Sequence, residues 1–135
     1  MGWQENLIDN PTQIGALIRQ TKRIAVLGIK TEAQEGQPSV YVPRYMLDAG
    51  FEIVPVPVYY PEVQEIFGLK VYRRLVDIPG DIDMVDVFRR PPDIDGHIED
   101  ILAKKPKSVW FQSGIRNDRA AETFARAGIR VVQDR

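Results

Sequence analysis

Short apolar runs alternate with longer amphipathic stretches along most of the chain. Five runs are rich in β-branched residues: RIAVLGI, FEIVPV, DMVDVFR, SVWFQSG and IRVVQD. Runs of this length and composition are typical of strands that are buried on both faces of a sheet. We therefore predict four strands and a fifth that closes the sheet.

The stretches between these runs predict helices. Asn10 is suited to cap an entry helix that ends near Thr21, with Pro11 at its first position. Asn117 is suited to cap the last helix, and Gly128 to end it. The other predicted helices run from Pro38 to Gly50, over PPDIDGHIEDILAKK, and over the short segment EVQEIFG.

Strands that alternate with helices through short loops predict a parallel sheet with right-handed crossovers. The expected fold class is α/β: a doubly wound parallel sheet of about five strands with helices on both faces. We expect residues 1–135 to form a single domain, with 1–21 as an N-terminal entry helix segment. Ligands of such sheets bind beyond the carboxyl ends of the strands. Four segments should meet there: Gly28 to Pro38, Val56 to Tyr60, Phe88 to Pro92, and Gln112 to Asn117.

Composition narrows the possible functions. The chain has 135 residues, of which 44% are hydrophobic and 27% charged, and its formal net charge is −1. This balance predicts no general attraction to nucleic acid or to acidic membranes. There are no cysteines, which excludes disulfides and thiolate metal sites. No apolar run approaches the roughly 20 residues that cross a bilayer, and the first residues lack the pattern of a signal peptide. We expect a cytoplasmic protein.

Gly28 ends the first predicted strand, and two interpretations of it are open. A glycine there lets the backbone approach a pyrophosphate at the start of the next helix, or it simply permits a tight turn. NAD is disfavoured because Lys30 and Ala33 stand where its fingerprint needs glycines, and no acidic residue ends the second strand. A Walker-type loop is also missing, so ATP hydrolysis has no support.

Cations lie at two of the predicted strand ends. Lys30 and Thr31 could offer a cation and a hydroxyl to a phosphate, although a lone lysine is more often a solvated charge. Arg89 and Arg90 follow the third strand directly, and arginine binds phosphate in a bidentate manner. A ligand role is favoured for Arg89.

No catalytic set can be assembled from the sequence. His97 is the only imidazole, and we expect it on an exposed helix face, remote from the strand ends. Asp81, Asp83 and Asp86 cluster in the sequence. Asp81 and Asp83 precede the third strand at its amino end, so turn formation and solubility explain these two better than acid–base chemistry. No cluster has metal-ligand spacing, so no catalytic or metal-binding residue is predicted. The aromatic residues near the second crossover, Tyr59 among them, could cover a ligand, but packing is favoured.

Several motifs occur in order along nearly the whole chain: IAVLGI, PSVYVPRYMLDAGFEIVPV, VYRRLVDIP, DMVDVFR, VWFQSGI and AGIRVVQDR. With these the chain resembles the small stand-alone CoA-binding domain proteins, which are related to the N-terminal domain of the succinyl-CoA synthetase alpha subunit. The resemblance implies a Rossmann-like domain that binds coenzyme A or an acyl-CoA in the crevice described above.

The resemblance also implies a set of site residues. The first loop and the following helix start would face the phosphates and pantetheine, the segment after the second strand would border the nucleotide, and the third strand end would lie by the adenosine. The cofactor-binding residues are thus expected to be Gly28, Ile29, Lys30, Thr31, Pro38, Ser39, Val56, Pro57, Val58, Phe88, Arg89, Gln112, Ser113 and Gly114. Two positions depart from the family pattern, because Gln37 replaces an arginine and Pro57 an asparagine.

Three roles agree with this sequence. The chain could bind CoA without catalysis, it could be a non-catalytic subunit of a CoA ligase or transferase complex, or it could be an interaction protein with a vestigial crevice. The expected partner is a small molecule rather than nucleic acid or membrane. A homo-oligomer or a partner enzyme is possible.

Overall fold

The computed structural model describes residues 2–135. A five-stranded sheet forms its centre. Its strands are β1 (Arg23–Leu27), β2 (Glu52–Val56), β5 (Met84–Val87), β6 (Ser108–Phe111) and β7 (Arg130–Val132), while β3 and β4 form a separate hairpin described below. The strand order is β2-β1-β5-β6-β7, and every neighbouring pair is parallel. The predicted strands and the parallel, doubly wound, Rossmann-like α/β class are confirmed.

Four α-helices connect and cover the strands: α1 (Pro11–Gln20), α2 (Pro38–Asp48), α3 (Ile98–Lys104) and α4 (Asp118–Arg126). The predicted caps are present in two of them. The Asn10 side chain accepts hydrogen bonds from the backbone of Thr12 and Gln13, and Asn117 accepts one from Ala120. These bonds satisfy amides that a helix start otherwise leaves without a partner.

Two hydrophobic layers hold the helices to the sheet, one on each face. Val85 and Val87 of β5 pack with α3 and α4 through Ile101 and Phe124. The layer on the opposite face contains the strand residues Ile24 and Val26, which pack with Leu17 of α1. Met46 of α2 lies at the edge of this layer. Because neighbouring strand residues point to opposite faces, each apolar run supplies both layers. No helix within residues 2–135 is long and apolar enough to cross a membrane.

The strand order reverses beside β1. From β1 the chain crosses to β2 on one side, and β5 then pairs with β1 on the other side. Loops that leave β1 and β5 therefore diverge and open a crevice at their carboxyl ends, where ligands of open α/β sheets bind.

The segment EVQEIFG was expected to be a helix, and that prediction is wrong. It contributes to an antiparallel hairpin of β3 (Glu65–Ile66) and β4 (Leu69–Lys70). The two connecting residues, Phe67 and Gly68, have φ values of 55° and 74°. Two consecutive left-handed residues are what a tight two-residue hairpin requires, and Ile66 is fully buried beneath the turn.

The helix predicted over PPDIDGHIEDILAKK is only partly correct. Residues Pro91–His97 form a 3-10 segment, and the α-helix proper begins at Ile98. Gly96 interrupts the helix-favouring residues, and glycine lowers the stability of a helix interior. This division places His97 at the junction, where its ring contacts Arg89 at the end of β5.

Candidate functional site

A crevice of about 780 Å³ lies at the carboxyl ends of β1, β5 and β6. Its volume falls within the range of small-molecule sites. Residues from the first loop, the start of α2, the β5 end and the β6 end line it: Lys30, Gln37, Pro38, Ser39, Tyr41, Val42, Phe88, Arg89, Arg90, Pro91, Gln112, Ser113, Gly114, Ile115 and Arg135. The location agrees with the prediction from strand order.

Gly28 lets the ends of β1 and β5 pack closely together. Its φ is 88°, and a Cβ atom added there would lie 2.3 Å from the carbonyl oxygen of Phe88. The backbone of Gly28 donates to Val56, and that of Phe88 donates to Leu27, each at 2.9 Å. Close backbone packing between the strand ends therefore explains this glycine, and of the two open interpretations the tight turn has direct structural support.

The first loop presents a cation beside the start of α2. Lys30 Nζ donates to Gln37 Oε1 at 2.6 Å. Gln37 is the N-cap residue of α2, and its side chain makes no capping hydrogen bond. The first turn of α2 thus lacks a side-chain cap where Pro38 and Ser39 line the crevice. Pro38 has no N–H and Val40 N donates to the Gln37 carbonyl. The Ser39 amide and the positive end of the helix dipole therefore remain to favour an anion here.

Arg89 is held in position by side chains from two other segments. Its Nε donates to His97 Nε2 at 3.1 Å, and its Nη1 donates to the Tyr59 hydroxyl at 3.4 Å. The guanidinium also lies over the Tyr59 ring, 5.8 Å from the centroid. The expectation that His97 is exposed and remote from the strand ends is wrong, because the ring is half-buried and contacts the β5 end.

The protonation of His97 follows from these contacts. Burial lowers the pKa of its imidazole, the positive charge of Arg89 lowers it further, and Asp100 and Asp93 act in the opposite direction. The neutral ring can accept the Arg89 hydrogen bond through Nε2. Arg89 Nη2 makes no hydrogen bond to any described residue, and its ion-pair partner, Asp93, is 3.9 Å away. Arg89 thus lines the crevice with part of its hydrogen-bonding capacity unused.

Charge in the crevice is strongly one-sided. Lys30, Arg89, Arg90 and Arg135 line it, and none of the described lining residues is an aspartate or glutamate. The chain as a whole carries a formal net charge of −1. A concave surface with one sign of charge concentrates its field on a ligand of the opposite sign. The crevice therefore suits an anion.

The structure brings most of the predicted site residues together. Lys30, Pro38, Ser39, Phe88, Arg89, Gln112, Ser113 and Gly114 all line the crevice.

The other predicted residues lie elsewhere. Ile29 and Val56 are each 1% exposed and belong to the two core layers. Pro57 is buried, Val58 is exposed outside the crevice, and Thr31 bonds to Gln34 instead. Gly28 does not line the crevice, and it packs instead against the backbone of Phe88 at the end of β5.

An apolar groove of about 340 Å³ adjoins the crevice on the sheet face that α1 and α2 cover. Its lining residues are Ile18, Thr21, Ile24, Val42, Met46, Phe51, Met84, Asp86, Trp110, Gln112 and Arg135. Val42, Gln112 and Arg135 line both spaces. The groove and the crevice are therefore neighbouring parts of one concave surface.

Asp86 is the one acidic residue in the groove lining. It is 1% exposed, and its Oδ1 accepts a hydrogen bond from Gln112 Nε2 at 2.5 Å. Burial raises the pKa of its carboxyl to about 7, while the Gln112 hydrogen bond acts to lower it. Asp83, by contrast, has a structural role, since its carboxylate accepts hydrogen bonds from the backbone of Lys22 and Arg23.

Sequence reasoning missed Asp86 and the part of the lining that α2 supplies through Tyr41 and Val42. The signal for Asp86 was present, since an acidic residue stands between valines in DMVDVF, at a position that faces the sheet interior. Tyr41 and Val42 have no such signal, because helical spacing alone does not show which face of α2 points to the crevice. Among residues 2–135, no group of three or more His, Cys, Asp or Glu side chains is arranged to hold a metal ion.

Comparisons with known proteins show which family the sequence matches. Residues 22–135 match the family model described as CoA binding domain. The chain is 34% identical over 129 residues to the protein YneT of Bacillus subtilis (strain 168), covering 94% of this chain and 92% of YneT.

Solved structures show the same architecture. A Thermus thermophilus protein, cell-free ID.343, has a TM-score of 0.84 and 38% identity, with 94% of this chain and 92% of that chain covered. The apo form of a dinucleotide-forming acetyl-coenzyme A synthetase from Ca. Korarchaeum cryptofilum has a TM-score of 0.67 and 25% identity. The likeness there covers 85% of this chain but 27% of the synthetase.

Proposed function

The chain belongs to the CoA binding domain family, and from this premise we propose that it binds coenzyme A or an acyl-CoA in the crevice. The proposed ligand is a small molecule, and the chain supplies no catalytic group of its own. The observation that carries the proposal is the charge of the crevice, whose described lining includes Lys30 and three arginines but no aspartate or glutamate. Arg90 is paired with Asp93 beside the crevice, so Lys30 and Arg89 are the cations assigned to the ligand.

The crevice suits the chemistry of coenzyme A. That cofactor has a diphosphate, a ribose phosphate, an adenine ring and a long, largely neutral arm. Lys30 and the first turn of α2 would bind phosphate oxygens, and the Nη2 group of Arg89 would bind another. The half-buried ring of Phe88 offers a flat apolar surface for adenine. These assignments use a part of the described surface where cations, the start of a helix and an aromatic ring converge in one large crevice.

Catalysis by this chain has little support from the arrangement of groups. His97 accepts a hydrogen bond from Arg89 through Nε2 and does not line the crevice. Its proposed role is to orient Arg89 rather than to transfer protons. Incubation with acetyl-CoA tests this point, since release of free thiol that depends on His97 would show hydrolysis and contradict the proposal.

Isothermal titration calorimetry with CoA, acetyl-CoA, NAD and ATP tests the proposed ligand. We expect heats of binding for the two CoA species that saturate at one ligand per chain. Binding of NAD alone would overturn the proposal. A thermal shift provides a second measurement, since a ligand at 100 times its dissociation constant stabilises by about 2.7 kcal/mol. No shift with any CoA species would favour a vestigial crevice.

A second candidate is a subunit that completes a CoA-dependent ligase or transferase. The observation in its favour is that this fold forms about a quarter of the acetyl-coenzyme A synthetase chain. In this case the reactive groups would belong to another polypeptide. Co-purification of the tagged chain with acyl-CoA synthesis activity that disappears when the chain is removed would support this candidate.

A further inference from the structure

The apolar groove next to the crevice contains a buried polar atom without a partner. Within residues 2–135, Oδ2 of Asp86 is the buried side-chain oxygen or nitrogen that forms no hydrogen bond. The residue is 1% exposed and lines the groove, so its carboxyl lies within the groove wall. Buried polar groups are nearly always hydrogen-bonded, and each exception calls for an explanation.

The groove is continuous with the proposed coenzyme site. Gln112 lines both spaces and donates from Nε2 to Asp86 Oδ1. Asp86 therefore lies near the junction, and the apolar walls formed by Ile24, Met46 and Met84 lie beyond it. A ligand that leaves the crevice at Gln112 would meet a hydrogen-bonding atom first and apolar side chains afterwards.

This order of contacts matches a chain with a polar group near its attachment point. A volume of about 340 Å³ corresponds to roughly ten groups the size of a water molecule, which suits an acyl chain of medium length. An unsubstituted alkyl segment would leave the Asp86 oxygen unpaired. A hydroxyl can donate to a carboxylate and accept from a carboxylic acid, so it pairs with Asp86 in either protonation state.

We propose that the groove binds the acyl chain of a medium-chain hydroxyacyl-CoA, with Asp86 as the hydrogen-bond partner of a hydroxyl close to the thioester. The inference rests on the proposed function, since the CoA part of the ligand lies in the crevice. It adds the class of acyl group and assigns Asp86 as a residue that determines specificity. The reaction that supplies such a ligand would be a hydration or a carbonyl reduction next to a thioester.

Calorimetric titrations with CoA, octanoyl-CoA and 3-hydroxyoctanoyl-CoA test the inference. We expect octanoyl-CoA to bind at least tenfold more tightly than CoA, and the hydroxylated thioester several-fold more tightly again. Equal affinities for all three ligands would overturn the inference and leave CoA binding intact. Absence of binding by all three would overturn the proposed function as well, so the two failures are distinguishable.

Two variants locate the effect. Ile18 lines the groove, does not line the crevice and is 40% exposed, so Ile18→Trp should fill the groove without disturbing the core. We expect this variant to bind octanoyl-CoA no more tightly than CoA, while its affinity for CoA equals that of the wild type. Gln13→Trp, on an exposed position of the same helix outside the groove, is the matched control and should behave as the wild type.

Asp86→Leu tests the polar contact separately. It should abolish the preference for the hydroxylated thioester and keep the preference for octanoyl-CoA over CoA. Retention of the hydroxyl preference would remove Asp86 from the site. If this variant does not fold, the wild-type comparison of the two thioesters decides, because equal affinity for them would contradict a hydroxyl contact.

Discussion

Gln112 Nε2 donates to Asp86 Oδ1 across 2.5 Å and thereby joins two neighbouring strands just below the crevice. The two residues lie on β5 and at the end of β6, which pair in parallel register. This contact gives the buried carboxyl one partner and leaves its other oxygen without a hydrogen bond. The carboxyl has therefore lost its contact with water and has only one hydrogen bond in exchange. These two effects determine its pKa.

Asp86→Asn should change how stability depends on pH. The pKa of Asp86 is raised from 3.8 to about 7 in the folded protein, so the native state binds a proton that the unfolded chain has released. This contribution is complete below about pH 3.8 and is lost as pH rises through 7. The loss approaches about 1.4 kcal/mol per pH unit within that window. Asparagine has no such titration, and the variant should become more stable than the wild type above neutral pH.

Urea denaturation of both proteins at pH 5 and pH 8 measures this difference. Asparagine can still accept the Gln112 hydrogen bond, and the other titrating groups, His97 and Asp83 included, are present in both proteins. Their effects should therefore cancel in the comparison. Unfolding free energies that differ by the same amount at both pH values would show that Asp86 does not titrate in this range.

Arg89→Ala should weaken CoA binding by roughly 1–3 kcal/mol, the usual loss for a hydrogen bond to a charged group. The side chain is 15% exposed and already oriented by His97 and Tyr59, so little ordering is needed when an anion binds. Calorimetry measures the loss, and urea denaturation checks that the fold is retained. Arg119→Ala removes an exposed arginine outside the crevice and should leave affinity unchanged. An equal loss in both variants would indicate a general charge effect.

Gly28→Ala should destabilise the fold more than Gly50→Ala. Both glycines have positive φ, 88° and 103°, and a left-handed conformation costs an alanine about 1–2 kcal/mol. An alanine Cβ at Gly28 would also meet the Phe88 carbonyl, whereas nothing lies within 4 Å of one at Gly50. Urea denaturation measures the unfolding free energy of both variants. The loss in Gly50→Ala reports the backbone strain, and the additional loss in Gly28→Ala reports the steric clash with the Phe88 carbonyl. Equal losses would mean that the β1 and β5 ends separate easily.

The architecture and the place of the crevice follow from the sequence, since both depend on local signals. Buried strands appear as apolar runs such as RIAVL, and Asn117 and Gly128 mark the ends of a helix by their own backbone preferences. The hairpin at Phe67 was missed because it has no such local signal. Its non-glycine residue has a positive φ, which a single sequence does not reveal.

The details of the site depend on contacts between distant segments. His97 was expected to be solvent-exposed, yet it contacts Arg89 because the chain forms a 3-10 segment before α3. Ile29 and Val56 were included for their positions beside strand ends, but their side chains point into the core. The side chains of successive residues at a strand end point to opposite faces of the sheet. Which of them faces a ligand depends on where the helices pack, and the sequence of the strand does not show this.

Gln37→Glu should weaken CoA binding because it introduces a carboxylate into a crevice where the described lining has none. The substitution keeps the shape of the side chain and lets Lys30 form an ion pair in place of its present hydrogen bond at 2.6 Å. Two unit charges 4 Å apart interact by about 1 kcal/mol in water, so we expect roughly a fivefold loss of affinity that shrinks as salt is added. Gln13→Glu places the same charge in the first turn of α1 and should not change binding. Stronger binding by Gln37→Glu would exclude an anionic ligand beside Lys30.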